Sequence, residues 1–184
     1  MTPLIFAVLA ALLSEPFGAE YADNIPAPAL VKDVTPCGLG KALALAGMSA
    51  PHETRIFDEE AFKGIQIVRT RPVPQKPPAG VPTELVARWD SGPATSLLEA
   101  CPEVRSALRG KPMATPEERA RVRGLQPGPT LMNVSAPLVG KSGQDVLIEV
   151  RFKCAGLCGS GTVLLYRKTP DGWVRMDVLA IIVS

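Results

Sequence analysis

A single histidine, His52, is all the imidazole that 184 residues offer. Ser/His/Asp and Cys/His mechanisms would all have to use it. It follows Pro51 in a polar stretch, where a solvated loop residue is expected. Aromatic residues make up only 5%, so a core must be built mostly from Val, Leu, Ile and Ala. Neither sign of charge dominates: the formal net charge is +2, which excludes a strong electrostatic pull toward nucleic acid or an anionic membrane. No internal repeat is present. Gly38-Leu39-Gly40-Lys41 lacks the spacing of a phosphate-binding loop, and no strand precedes it. Zinc requires four convergent nitrogen or sulfur ligands, usually in closely spaced pairs. One close cysteine pair, two isolated cysteines and His52 do not make that pattern, so no metal and no cofactor is expected.

What is present argues for one domain. Hydrophobic residues reach 46% and charged residues 21%, enough for a packed core. Nineteen prolines and sixteen glycines predict long irregular connections. Pro3 to Leu13 is an uninterrupted apolar run, the length of a signal h-region and too short to span a bilayer. Residues 1–19 are therefore read as a signal peptide, although no Lys or Arg precedes the run and no good small-x-small cleavage site follows it. The expected location is periplasmic or secreted, with no transmembrane segment in the mature chain. Residues 20–184 are read as a single α+β domain.

Within that domain, Lys41 to Met48 is Ala/Leu-rich and predicts a short helix. Asp58-Glu59-Glu60-Ala61-Phe62 is compatible with a helical turn, its acids read as a solvated face. Ile65 to Arg69 alternates and suits a strand. Residues 70–82 hold five prolines and read as an extended surface connection. Thr83 to Trp89 runs apolar at helical spacing behind a Thr cap. Ser96 to Leu108 places Leu97, Leu98, Cys101, Val104, Ala107 and Leu108 on one stripe, a helix kinked or restarted at Pro102. Thr115-Pro116-Glu117-Glu118 is a strong helix start. Arg105, Arg109, Lys111, Arg119, Arg121 and Arg123 are read as an exposed basic face balanced by Glu103, Glu117 and Glu118.

The last third predicts strands. Thr130 to Val139 is one, with Pro137 marking an edge or bulge. In Asp145 to Lys153, Val146, Ile148, Val150 and Phe152 alternate with Leu147, Glu149, Arg151 and Lys153, the pattern of a half-buried strand. Thr162 to Lys168 returns, Thr169-Pro170-Asp171-Gly172 turns, and Trp173 to Val183 is expected to point Val174, Met176, Val178, Ala180 and Ile182 inward. The expected fold is N-terminal helices packed on a C-terminal antiparallel β-meander of about four strands, residues 130–184.

Four cysteines in an exported chain suggest disulfides: Cys37, Cys101, Cys154 and Cys158. The preferred arrangement is a local Cys154/Cys158 pair, which leaves Cys37 with Cys101; the other pairings stay open. The Gly-rich segment around the local pair makes Gly156, Leu157, Gly159 and Gly161 a possible recognition loop. The alternative is a thiol-dependent redox or copper-handling protein using Cys154 and Cys158. Redox dithiols, however, normally sit at a helix N-terminus rather than between strands. No catalytic residue is assigned. A non-catalytic binding or structural protein is expected, its partner an unknown protein or envelope component.

The ending resembles that of uncharacterised secreted bacterial proteins with a Cys-x-x-Leu-Cys-Gly-x-Gly β-hairpin followed by Gly-Trp. The likeness rests on Val134-Ser135-Ala136-Pro137-Leu138, Val146 to Val150, Cys154 to Gly161, and Gly172-Trp173. It covers about a quarter to a third of the chain. Where that pattern usually carries an aromatic near its end, this chain has Ile181-Ile182-Val183. The resemblance implies export and a similar meander, and it brings no activity.

Overall fold

The computed structural model describes residues 27–49, 54–60, 80–91, 95–156 and 159–183. The expected signal peptide, the strand at Ile65 to Arg69, most of the proline-rich connection and His52 lie outside these residues. Side chains cap three of the described helices, while Thr83, expected to cap a fourth, lies inside it. Helix α1 (Pro36–Met48) begins one and a half turns earlier than its Ala/Leu run suggests, because Thr35 caps it by accepting from the Gly38 N–H and Pro36 fits the first turn. Gly38 and Gly40 do not break it. A Cβ at Gly38 would lie 1.9 Å from Asp33 Cγ, and one at Gly40 would lie 2.4 Å from Leu97 Cδ1. Both glycines therefore let neighbours approach the helix closely.

Helix α2 (Thr83–Ser91) follows, then α3 (Leu97–Ala100) and α4 (Pro102–Ala107). The last two are the single stripe from Ser96 to Leu108, interrupted at Cys101 as Pro102 requires. Helix α5 (Pro116–Arg123) carries a complete capping box between Thr115 and Glu118.

The sheet differs from the expected meander. Among the described residues it has seven strands: β1 (Leu30–Val31), β2 (Arg55–Phe57), β3 (Thr130–Val134), β4 (Leu138–Val139), β5 (Asp145–Lys153), β6 (Ser160–Thr169) and β7 (Gly172–Val183). Their order is β1-β7-β6-β5-β3-β2, with β4 also on β5. The β2–β3 pair is parallel and every other pair is antiparallel, so the sheet is mixed. Nor do the helices precede the strands. Helix α1 lies between β1 and β2, and the other four lie between β2 and β3. A parallel pair needs a long crossover, and those four helices sit within it.

The expected strand Thr130 to Val139 is divided. From Val134 to Leu138 the chain takes four steps while β5 takes three, from Val150 to Leu147. The irregular piece, Ser135 to Pro137, is bridged by Ser96 and by the Ala136 N–H donating to the Thr95 carbonyl.

Both faces of the sheet are covered, which corrects the half-buried reading of β5. Val146, Ile148, Val150 and Phe152 pack with Leu39, Leu43, Leu97, Val104, Tyr166 and Trp173 under α1, α3 and α4. Leu147 turns to the opposite face and joins Val163, Leu165, Leu85 and Val86 under α2. At the β2/β3 edge of that face, Ile56, Leu131 and Val122 form a third cluster under α5.

Strand β7 also departs from simple alternation. Trp173 is the inward residue near its start, while Met176 is half-exposed at 49%. Tyr166 pairs Arg175 but Leu165 pairs Asp177, so Met176 is inserted as a bulge. That bulge returns Val178, rather than Asp177, to the main core face.

Candidate functional site

Three groupings carry the reactive residue types, and they do not converge. The first is the Cys37–Cys101 disulfide. It joins residues 64 positions apart, with Cα atoms 5.6 Å from one another. Cys37 lies in the first turn of α1, and Cys101 is the junction of α3 and α4. Cys101 is 1% exposed, whereas Cys37 is only partly buried against the core. Next to the bond, Glu103 brings a carboxylate oxygen within 4.8 Å of both sulfurs. Among the described residues, these three are the one grouping of His, Cys, Asp or Glu donors close enough to share a metal ion. Two of its members are oxidised sulfur, and metals take the thiolate, so the grouping does not make a metal site.

The second grouping is the loop between β5 and β6. Cys154 is also in a disulfide. Gly156 takes φ +93, a left-handed value that glycine adopts at no steric cost. Gly159 and Gly161 are buried, and Gly161 lies opposite Arg151 in the ladder. Leu157 and Cys158 lie outside the described residues. This loop and the first disulfide occupy opposite ends of the sheet. Ser160, which leaves the loop, pairs Val183 at one end of the β6–β7 ladder. Trp173, whose indole N–H donates to the Thr35 carbonyl at the start of α1, pairs Lys168 near the other. Cys154 thus lies apart from the Cys37–Cys101 bond.

The third grouping was read from sequence as a solvated acidic turn; Asp58 departs from that reading, while Glu59 is partly exposed and Glu60 exposed. Asp58 is 2% exposed and accepts from Arg119 Nε at 2.7 Å. Arg119 Nη1 also lies 3.4 Å from Glu60, and Arg105 lies 2.9 Å from Glu59. Arg119 is therefore not part of an exposed basic face. It sits three residues before the buried Val122, so both point inward from α5. The Asn133 amide donates to the Asp58 carbonyl, while its Oδ1 is buried with no hydrogen-bond partner. On the same sheet face, Arg151 grips Glu149 with two nitrogens, and the Ser135 hydroxyl accepts from the Glu149 N–H. Asp145 pairs Arg167, which also donates to the Gly80 carbonyl.

Two groups have displaced titrations. Asp33 is held below its usual value, first by the Thr35 backbone N–H, then by the Thr35 hydroxyl and Lys41. Tyr166 is pushed well above its usual value by burial, which the charge of Arg175 only partly offsets.

Sequence reasoning missed the Asp58–Arg119 pair because its members are far apart. The usable signal was Arg119 at helical spacing from Val122. No family model, curated protein or solved structure matches the chain. Among the described residues no helix is long and apolar enough to cross a membrane.

Proposed function

We propose that this chain is an exported, disulfide-stabilised protein that binds a component of the periplasm or envelope without catalysing a reaction. The observation that carries this reading is the Cys37–Cys101 bond, which ties the first turn of α1 to the α3/α4 junction against the main core. Disulfides of that kind persist in oxidising compartments and are rare in the cytosol. The apolar run Pro3 to Leu13 and the likeness of the ending to secreted bacterial proteins support the same location. The described buried acids are spent on internal ion pairs, which favours a scaffold over acid/base chemistry. Recognition is assigned to the Gly156 to Gly161 loop, with Cys154 and Cys158 fastening it.

The test has two parts. Cells expressing the full chain are fractionated, and the recovered protein is sequenced from its N-terminus. A chain processed after the apolar run and recovered outside the cytosol agrees with the proposal; an intact cytosolic chain overturns it. The same protein, unreduced and denatured, is then titrated for thiols. No labelled cysteine is expected. Two free thiols at Cys154 and Cys158 would replace this reading with a redox or copper-handling one.

A further inference from the structure

The two sulfurs of the Cys37–Cys101 bond are not equivalent. Cys101 is 1% exposed at the junction of α3 and α4, whereas Cys37 is only partly buried. Cys101 is closed to an external thiolate, which leaves attack to the less buried Cys37, because access decides which sulfur is attacked. The same bond has an anion beside it: the exposed Glu103 holds a carboxylate oxygen within 4.8 Å of both sulfurs. Glu103 makes no ion pair among the described residues. The other nearby acid, Asp33, is engaged with Lys41 Nζ at 3.2 Å and with Thr35.

We infer that this disulfide is a one-sided thiol-exchange site, attacked only at Cys37 Sγ, and that Glu103 determines which thiols reach it. The inference rests on the bond being closed in the exported protein. In the forward step a thiolate of a small-molecule or protein thiol bonds to Cys37 Sγ. The Cys37–Cys101 bond breaks, and its electron pair leaves on Cys101 Sγ, which takes a proton from solvent. The mixed disulfide recloses when Cys101, as thiolate, attacks Cys37 Sγ and expels the incoming thiol. Glu103 acts on both directions. Its charge opposes an anionic thiol on approach and disfavours the departing Cys101 thiolate. Thiols carrying a positive charge are the class this site admits; acidic thiols are the class it turns away. Two unit charges about 5 Å apart in a solvated setting correspond to roughly three- to fivefold in rate, shrinking as salt rises.

The experiment uses the full disulfide-bonded protein, under conditions where the fold persists. Second-order rate constants for opening are measured with cysteamine, 2-mercaptoethanol and 3-mercaptopropionate, each corrected for its thiolate fraction. Early adducts are trapped by acid quench and mapped by mass spectrometry. Wild-type protein is expected to react fastest with cysteamine and slowest with mercaptopropionate, with all adducts on Cys37. Glu103→Gln should remove most of the spread, and Glu103→Lys should reverse it. The ionic-strength dependence of the wild-type rates is an independent readout that needs no variant: added salt should slow cysteamine and speed mercaptopropionate. Adducts on Cys101, or an unchanged spread in the folded Glu103→Gln protein, overturn the inference. Free Cys37 and Cys101 in the protein as isolated would instead overturn the disulfide itself.

Discussion

Asp58 and Arg119 stand 61 positions apart in the chain and meet at 2.7 Å, the carboxylate 2% and the arginine side chain 10% exposed. The contact ties the end of β2 to the inner side of α5. It also explains why Arg119 departs from its exposed neighbours Arg121 and Arg123.

Removing one partner should be much worse than replacing both. Arg119→Ala leaves the Asp58 carboxylate buried with its cation gone, and a loss of about 3–5 kcal/mol is expected. Combining Asp58→Leu with Arg119→Met keeps the volume apolar and should recover a large part of that loss. Urea unfolding of the two single variants and the double variant checks this. Additive losses would show that the pair is not coupled.

The Cys37–Cys101 bond closes a long loop, with a sequence separation of 64. In the chain-entropy account such closure stabilises by about 4 kcal/mol through the unfolded state. Cys37→Ser with Cys101→Ser should lower unfolding stability by approximately that amount. A loss under about 1 kcal/mol would contradict the account.

Gly172 takes φ +128, and a Cβ there would lie 2.1 Å from the Val31 carbonyl oxygen. Backbone cannot yield as a flexible side chain can, so Gly172→Ala should separate β1 from β7. A loss of about 2 kcal/mol or more is expected, against a change within about 0.5 kcal/mol for Asp171→Ala in the same turn. Equal effects of the two changes would show that the close approach of Val31 is unimportant.

Tyr166 is buried, and its hydroxyl donates to the Pro28 carbonyl at 2.8 Å. Because its folded titration lies above the usual value, the folded state keeps the phenol neutral while the unfolded chain ionises. The associated stability is complete below a pH of about 10 and declines as pH rises from there toward the folded value. Tyr166→Phe should cost about 1 kcal/mol at neutral pH, where the Pro28 carbonyl loses its donor. Above pH of about 10 its stability should fall less steeply than that of the wild type. Parallel alkaline slopes would remove Tyr166 as the cause.

Asp33 works in the opposite direction. Its lowered titration stabilises the fold above its unfolded value, and this contribution is lost as pH falls through the folded one. Asp33→Asn should therefore flatten the acid limb of the stability profile, as read by urea midpoints between neutral and strongly acidic pH. An unchanged acid limb would show that the Thr35 contacts do not act through ionisation.

Local chemistry was legible residue by residue. The Thr115-Pro116-Glu117-Glu118 start, the break at Pro102 and the alternation along Asp145 to Lys153 each depend on neighbours within a turn or a strand. They appear in the structure as the capping box, the α3/α4 junction and the two faces of β5. The α+β class was legible for the same reason. The sheet's extent was not. Strands β1 and β2 have two and three residues, too short to show a period, and they gain their hydrogen bonds from partners far along the chain. The reading of β7 failed at Met176 because a bulge shifts side-chain parity without leaving a pattern in the segment itself.

By itself, then, the sequence determined where α5 begins, where Pro102 breaks the stripe from Ser96 to Leu108, which residues of β5 alternate, and that no histidine-based chemistry is available beyond His52. Only the tertiary structure decided that both faces of β5 are covered, that Asp58 and Arg119 are buried together, and that Cys154 lies at the other end of the sheet from the Cys37–Cys101 bond. The physical reason is range. Caps, turns and alternation are set by atoms a few residues apart, whereas burial and ion pairing depend on which distant segments fold against each other.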